Sequence, residues 1–565
     1  MQESKKNKEK IDMKKIGLLV VLSAIVGTLW AIPARKGGVL VTQPDGSELM
    51  VYQHGDEYFH WMTNEQGEWL RLDEDGYYRV TEALSAEQIA AKRQAAPRRA
   101  EYKASPLNIA TRGLIILVNF KDEAFTTTKA EMDSMLTGKN YTRNYTYKYG
   151  LKNYTVESEG SAWKYFYDAS NGLYDPQFDV VGPVTVSQNM AYYGGNTSSG
   201  DDKNPEAMVI EACKLVDDSV DFSLYDNDAD GTVDFVYVIY AGYGEADGGA
   251  ANTIWPHQYF IYQYINLDNT KIYRYACSNE MDNYTKHHTG IGPFCHEFSH
   301  VLGLPDLYET TGYGDHKTMG EWSILDYGPY NNDGNTPPTY SAYERFFMGW
   351  LTPRLITEPE NITLAELNDS QEALLISSSD QHNLIGNDPD PTTFYLLENR
   401  QQTGWDEYLP GHGLMLTKIQ YNYNKWYNNT VNNTATKMGV DLIEADGKAP
   451  QYDANRPSNG YMGKAKDLFP AGATAYTQIT DHAIEEITEE NGLIVFKYKG
   501  GVEDTIPPVN GDSTPTFVDK LVYHGEIVGI YNILGQRVAT KKLEELPEGT
   551  YIVRKKEGTQ KIIVR

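Results

Sequence analysis

Residues 291–308 read Ile-Gly-Pro-Phe-Cys-His-Glu-Phe-Ser-His-Val-Leu-Gly-Leu-Pro-Asp-Leu-Tyr. His296, Glu297 and His300 form an HExxH pattern. On a helix, residues i and i+4 lie one above the other on one face. His296 and His300 can therefore aim two imidazole nitrogens at one zinc ion. Glu297, beside the first ligand, is placed to act as general base on a water at that ion and then to hand the proton to a leaving amine. Zinc would acidify that water and polarise a peptide carbonyl. Gly303 lets the chain turn sharply after the helix. Asp306, ten residues after His296, can then swing back as third ligand. Two neutral histidines and one carboxylate leave a fourth position open, as catalytic zinc sites require. Glu321 is the alternative third ligand.

Farther on the chain reads Trp322-Ser-Ile-Leu-Asp-Tyr-Gly328. This resembles the turn beneath the zinc of metzincin proteases, with Leu325 where those proteins carry Met. Leu is close to Met in volume and equally apolar, so the floor of the site should survive. Tyr327 matches a tyrosine that in several metzincins binds the metal or stabilises the oxyanion; the alternative is a packing role. The longer text resembles the M6 family of secreted metalloproteases, the immune-inhibitor-A-like group. The matching residues are His296 to Tyr308, Met319-Gly-Glu-Trp322 and Tyr340-Ser-Ala-Tyr-Glu-Arg-Phe-Phe-Met-Gly-Trp-Leu-Thr-Pro353, continuing through Tyr395 to Gln402 and Pro410 to Gly413. The resemblance covers roughly residues 110 to 480. It implies a zinc endopeptidase with Zn2+ on His296, His300 and Asp306 and with Glu297 as catalyst.

Upstream, Asp226-Asn-Asp-Ala-Asp-Gly-Thr-Val-Asp234 puts carboxylates on Asp226, Asp228, Asp230 and Asp234, with Gly231 for the tight turn and a main-chain carbonyl from Thr232. This is the front of a calcium loop. Position 12 is Tyr237 and a strand follows, so it is not an EF-hand. The resemblance includes such a loop, and a structural Ca2+ there would pin the strand at Phe235–Tyr240.

The whole chain has 565 residues and carries 50 Lys/Arg against 78 Asp/Glu, a net charge of −28. That acidity argues against a general nucleic-acid binder. Three cysteines exclude a disulfide scaffold. Cys213, Cys277 and Cys295 read as small buried residues, with a Cys277–Cys295 bridge as the alternative. Lys14-Lys15, the 16-residue apolar run from Ile16 and small residues near Ala31 read as a signal peptide over 1–32, with Met13 as an alternative start. No second long apolar stretch exists, so no stable transmembrane segment is expected in the mature form.

Residues 33–105 read as β-rich hairpins followed by a helical or linker stretch ending at Arg98-Arg99. They form a pro-segment or an accessory domain. No cysteine precedes Cys213. If the segment is inhibitory, another group must cap the zinc, or the cleft must be filled sterically. Residues 106–355 are the expected α+β, metzincin-like zinc protease domain. Short strands over 356–500 suggest a β-sandwich, and 501–517 is a linker. Residues 518–565 resemble the small all-β sorting domain of the type IX secretion system of Bacteroidetes, on Gly529-Ile-Tyr-Asn-Ile-Leu-Gly-Gln-Arg-Val538, Leu546 to Arg554 and Lys561 to Arg565. The expected partners are protein or peptide substrates and the outer-membrane secretion machinery. The expected destination is the medium or the cell surface, by way of the periplasm and outer membrane. A surface binding or adhesion protein with a degenerate protease domain is the rival reading.

Overall fold

The computed structural model describes residues 32–502, apart from 36, 57–58, 74, 86, 90, 92–111, 198–201, 311–315 and 449–462, and then 527–532, 538, 549–555 and 558–564. Residues 1–31 of the expected 1–32 signal, the Arg98-Arg99 pair and most of the 501–517 linker lie outside the described residues.

Strands β1 (Gly38–Thr42), β2 (Glu48–Asp56), β3 (Phe59–Thr63), β4 (Trp69–Leu72) and β5 (Tyr78–Val80) form a five-stranded sheet in chain order. Adjacent strands pair antiparallel. Short strands separated by Gly- and Asp-rich turns favour such a meander.

The central sheet has the order β11-β12-β10-β6-β9. Its strands are β6 (Arg112–Asn119), β9 (Gln177–Thr185), β10 (Val236–Tyr243), β11 (His257–Leu267) and β12 (Thr270–Met281). A hairpin of β7 (Thr142–Tyr149) and β8 (Lys152–Glu159) stands apart from it. β10 runs parallel to β12 and β6, and β6 parallel to β9; only β11 is antiparallel, against β12. Parallel strands are covered on both faces, which explains the unbroken apolar run Leu114–Val118. Ile115, Leu117, Tyr237 and Ile239 face one core, together with Phe294 and Phe298 of the HExxH helix. Leu114, Ile116, Val118, Val236 and Val238 face the other, with Met208, Val209 and Ala212 of the helix Pro205–Val216. The protease region is thus a mixed α/β layer structure.

Beyond it, one sheet holds β13 (Arg354–Leu355), β15 (Leu374–Ser377), β16 (Thr393–Arg400), β17 (Gly413–Gln420) and β18 (Val440–Leu442). A second holds β14 (Glu360–Leu364), β20 (Leu493–Tyr498) and β19 (Ile484–Glu490). Leu374, Ile376, Leu397 and Leu416 of the first meet Ile362, Leu364, Ile494 and Phe496 of the second in one apolar cluster. The core does not stop at residue 355. Leu396, Met415, Ile419 and Trp426 belong to the same cluster as the HExxH helix. A buried polar network crosses the same seam: Arg400 pairs with Asp406 and Glu398, and Asp406 accepts from the Thr339 amide at 3.0 Å. In the tail, β21 (Ile527–Asn532), β22 (Gly549–Lys555) and β23 (Gly558–Val564) form a three-stranded antiparallel sheet.

The three cysteines are free and buried. Cys277 lies in the core cluster with Leu114 and Cys295 in that with Ile115, on opposite faces of the sheet. The alternative of a Cys277–Cys295 bridge is corrected on that ground.

Candidate metal centre and catalytic cleft

The HExxH stretch forms the helix Ile291–Val301, every residue of which is buried. Pro293 lies in its first turn, where an amide would lack an intrahelical partner anyway. Gly292 is required by a close approach: a Cβ there would lie 1.9 Å from the Pro329 carbonyl oxygen. Phe294 and Phe298, four apart, stack at 5.7 Å and turn toward the sheet, meeting Phe178 and Phe235. His296 and His300 are offset from them by two residues, about 200° around the helix. They therefore face the opposite side.

That offset builds the centre. The Nε2 atoms of His296 and His300 lie 3.0 Å apart, and Asp306 Oδ1 lies 3.3 and 3.2 Å from them. His296 Nδ1 meets the Ile324 carbonyl at 2.7 Å and His300 Nδ1 the Leu304 carbonyl at 2.8 Å. A carbonyl only accepts, so each Nδ1 carries the proton and each Nε2 presents a lone pair. Three lone-pair atoms thus converge with no hydrogen between them, although the two imidazoles are close enough to be counted as a hydrogen bond. Two ligands about 2.0–2.1 Å from one tetrahedral ion stand about 3.3–3.4 Å apart. The donor set therefore fits a zinc ion. Although burial works against its charge, the two imidazoles hold the Asp306 carboxyl down at about 2. Burial lowers the His300 pKa, with Asp306 opposing and His296 adding to the shift.

Asp306 arrives by the turn foreseen at Gly303, whose φ is +102°. The Leu307 amide then donates to the Leu325 carbonyl at 2.7 Å, tying this loop to the turn beneath the site. Leu325 itself is fully buried. Glu321 stays out of the cluster: its Oε2 accepts from the Gly463 amide at 2.5 Å. The three donors that converge at this helix are His296, His300 and Asp306.

Glu297 is fully buried on the same helix. Burial, reinforced by Asp306, pushes its carboxyl well above the usual range, and a hydrogen bond from the Ile32 amide to Oε1, at 2.9 Å, works the other way. Tyr327 is packed at the start of the turn Gly328–Gly334, and burial followed by Asp326 and Glu321 pushes its hydroxyl up. In the same turn the Tyr330 hydroxyl donates to the Pro33 carbonyl at 2.7 Å.

The acidic loop divides. Asp226, Asp228 and Asp230 bring carboxylates together on the surface. Asp226 accepts from the Asp230 and Gly231 amides at 3.0 and 2.9 Å, and Asp230 from the Thr232 amide at 2.8 Å. Asp234 leaves the group: its Oδ2 takes the Asn227 amide at 2.9 Å and the Asn227 side chain. Asn227 Oδ1 in turn accepts from the Arg112 amide at 2.9 Å. Asn227 thus ties this loop to the start of β6.

Two contributors are invisible in the motif. Asn429 clamps Asp306 from both sides: Oδ1 accepts from the Asp306 amide at 2.8 Å, and Nδ2 donates to Asp306 Oδ2 at 2.6 Å. The other is Ile32–Arg35, an extended stretch buried in the cleft, where Trp255 Nε1 donates to the Ile32 carbonyl at 3.0 Å. No local sequence signal marks either; each is 120 residues or more from the helix it serves.

Known proteins share part of this sequence. Residues 107–351 match the family model described as immune inhibitor A peptidase M6, catalytic domain. A pre-pro-metalloprotease PrtV of Vibrio cholerae serotype O1 is 29% identical over 211 residues, which cover 33% of this chain and 23% of that protein. Immune inhibitor A of Bacillus thuringiensis subsp. alesti is 28% identical over 212 residues, covering 33% and 31%. The chain thus spans a quarter to a third of the curated relatives it matches. The HExxH helix, Asp306 and the turn beneath them lie within the stretch that matches a peptidase M6 catalytic domain of the immune inhibitor A type.

Proposed function

We propose that the chain is a secreted zinc endopeptidase that hydrolyses peptide bonds of extracellular proteins. The observation that carries this reading is the convergence of His296 Nε2, His300 Nε2 and Asp306 Oδ1 beside Glu297. Zinc supplies Lewis-acid polarisation of the scissile carbonyl and acidifies a water at the open position. The chain's own residues do the rest. The Nδ1–carbonyl bonds fix both imidazoles with Nε2 inward. Glu297 takes the proton from the attacking water and delivers it to the leaving nitrogen. Its burial, which raises its affinity for a proton, suits a shuttle. Tyr327 is the candidate for oxyanion stabilisation. The surface turn Asp226–Asp228–Asp230 is the candidate for structural calcium.

In the same reading, residues 33–105 are a pro-segment, and the cleft is filled by main chain in place of a cysteine. The burial of Ile32 against Glu297 argues for ending the signal at Ala31, one residue earlier than the composition suggests. Among the described residues no helix is long and apolar enough to cross a membrane. The tail sheet is assigned to secretion sorting.

The test is casein cleavage by the full chain, by Glu297→Ala and in the presence of a chelator, before and after removal of the N-terminal segment. Cleavage should depend on both Glu297 and metal. Cleavage untouched by the substitution would sink the mechanism, and no cleavage by any form would favour a binding role.

A further inference from the structure

The N-terminal stretch lies in the cleft as a bound peptide would. Ile32 gives its amide to Glu297, Trp255 takes its carbonyl, Tyr330 takes the Pro33 carbonyl, and the Arg35 amide donates to the Ala246 carbonyl at 2.8 Å. Four main-chain groups are thus satisfied by residues 246–330. The side chain that ends this stretch is charged and buried. The Arg35 side chain is only 8% exposed. One amino group meets Asp282 and the other Asp333. Tyr284 covers its face at 4.3 Å and Tyr330 stands at 5.8 Å. Asp282, Asp333 and Asp247 together keep it charged in spite of burial.

The pocket does not owe its shape to Arg35. Asp282 Oδ1 accepts from the Tyr284 and Thr285 amides at 2.7 and 3.0 Å. Asp333 Oδ2 accepts from the Tyr147 hydroxyl at 2.7 Å. Asp247 Oδ2 accepts from Asn279 Nδ2 at 2.9 Å. All these supports belong to residues 147–333. With the N-terminal segment gone, the carboxylates of Asp282 and Asp333 and two tyrosine rings would face an empty slot, at a cost that a cation removes. A planar fork that pairs with two carboxylates and stacks on a ring is a guanidinium; an ammonium matches only the charge.

We infer that this slot is a specificity pocket for an arginine side chain of the substrate. The inference rests on the proteolytic reading for its register. The Ile32 nitrogen stands where Glu297 would protonate the leaving amine. A substrate laid down in the same direction is cut just before the residue equivalent to Ile32. Its arginine is then the fourth residue on the C-terminal side of the cut.

Two measurements test it. In the Glu297→Gln chain freed of its N-terminal segment by an added protease after folding, the peptide Ile-Pro-Ala-Arg amide should bind at least tenfold more tightly than the same peptide ending in citrulline, a neutral isostere. Adding Asp282→Asn, or in a second variant Asp333→Asn, should remove most of that ratio. Equal binding of the two peptides, or binding of neither, would overturn the pocket, whatever the chain does as an enzyme. In the second, the chain freed of its N-terminal segment digests a peptide library, and the cut sites are read by mass spectrometry. Arginine should be enriched several-fold at the fourth position after the cut, and Asp282→Asn should flatten that enrichment relative to other positions. Cutting that depends on Glu297 but shows no arginine preference would refute the pocket and keep the peptidase. Cutting independent of Glu297 would refute the peptidase, and the binding ratio would still decide the pocket.

Discussion

Replacing Asn429 by Ala should weaken zinc binding without touching a ligand. Asn429 holds Asp306 by two bonds, 2.8 Å from the Asp306 amide and 2.6 Å to Oδ2. Asp306 is fully buried, so no bulk water takes over the lost donor. A hydrogen bond to a buried charged group contributes about 1.5–3 kcal/mol, and the neutral bond about 1 kcal/mol. Part of this loss falls on folding and part on the metal, because the freed carboxylate can rotate Oδ1 away from the two Nε2 atoms. Supporting partners of metal ligands are typically worth about 10–100-fold in affinity, or about 1.4–2.8 kcal/mol. The expected result is a zinc Kd raised by about that factor in a competition titration of the full chain against a chromogenic chelator. Asn429→Asp should do worse, because it replaces the donor with a second carboxylate beside Asp306. A Kd within about twofold of wild type, in a variant whose thermal unfolding shows a folded chain, would refute the argument that Asp306 needs this clamp.

Phe298→Ala removes a ring wedged between Phe166, Phe178, Phe235 and Phe294 and should cost about 3–5 kcal/mol in denaturant unfolding; a loss below about 1 kcal/mol would mean that the helix is not seated on the sheet by this face. Leu325→Met should cost less than about 1.5 kcal/mol and keep full zinc content by metal analysis, since the centre uses the Ile324 and Leu325 carbonyls and not that side chain. His60 of β3 pairs with Glu245 at 2.9 Å; burial pulls its pKa down, but Glu245 prevails and the net shift is upward. A raised histidine pKa contributes stability that is fully present below about 6.5 and is lost as pH rises through the folded value. Protease sensitivity of the N-terminal sheet should therefore increase on going from mildly acidic to alkaline pH, and His60→Gln should flatten that dependence; a profile unchanged by the substitution would contradict it.

The zinc motif was legible because helix periodicity translates spacing into geometry. His296 and His300 share a face for the same reason that Phe294 and Phe298 share the opposite one, and Gly303 announces the turn that returns Asp306. The strands Leu114–Val118 and Val236–Tyr240 were legible as apolar runs for the same kind of local reason. What failed to appear was everything decided by tertiary contact. Asn429 is one of many asparagines in a loop-rich stretch, and nothing local separates it from Asn428. The seam at residue 355 looked like a boundary because short strands follow it, yet Leu396, Met415 and Trp426 extend the core under the HExxH helix. Spacing lines up Asp226, Asp228, Asp230 and Asp234 alike, but alternation along a loop does not fix which way a side chain turns, and Asp234 bonds to Asn227.

Residues 1–212 hold no cysteine, so no thiolate of that stretch can cap the metal centre. The proposed alternative has a different physical character. A thiolate cap concentrates its strength in one metal bond, whereas here the hold is spread over Glu297, Trp255, Tyr330, the acidic slot and the His60–Glu245 pair. While the segment is covalently attached, its effective concentration at the cleft is in the millimolar range, so weak contacts suffice to fill it. Once the connection is cut, that advantage disappears and only the intrinsic affinity of the segment remains. A distributed hold of this kind should therefore fail gradually. Arg35→Ala or His60→Gln alone should raise the basal cleavage of the uncut chain by a modest factor, and the two together by more, because the sites stand on different elements. If either single change released full activity, the segment would be held at one point, and the comparison with a single capping ligand would be the right one after all.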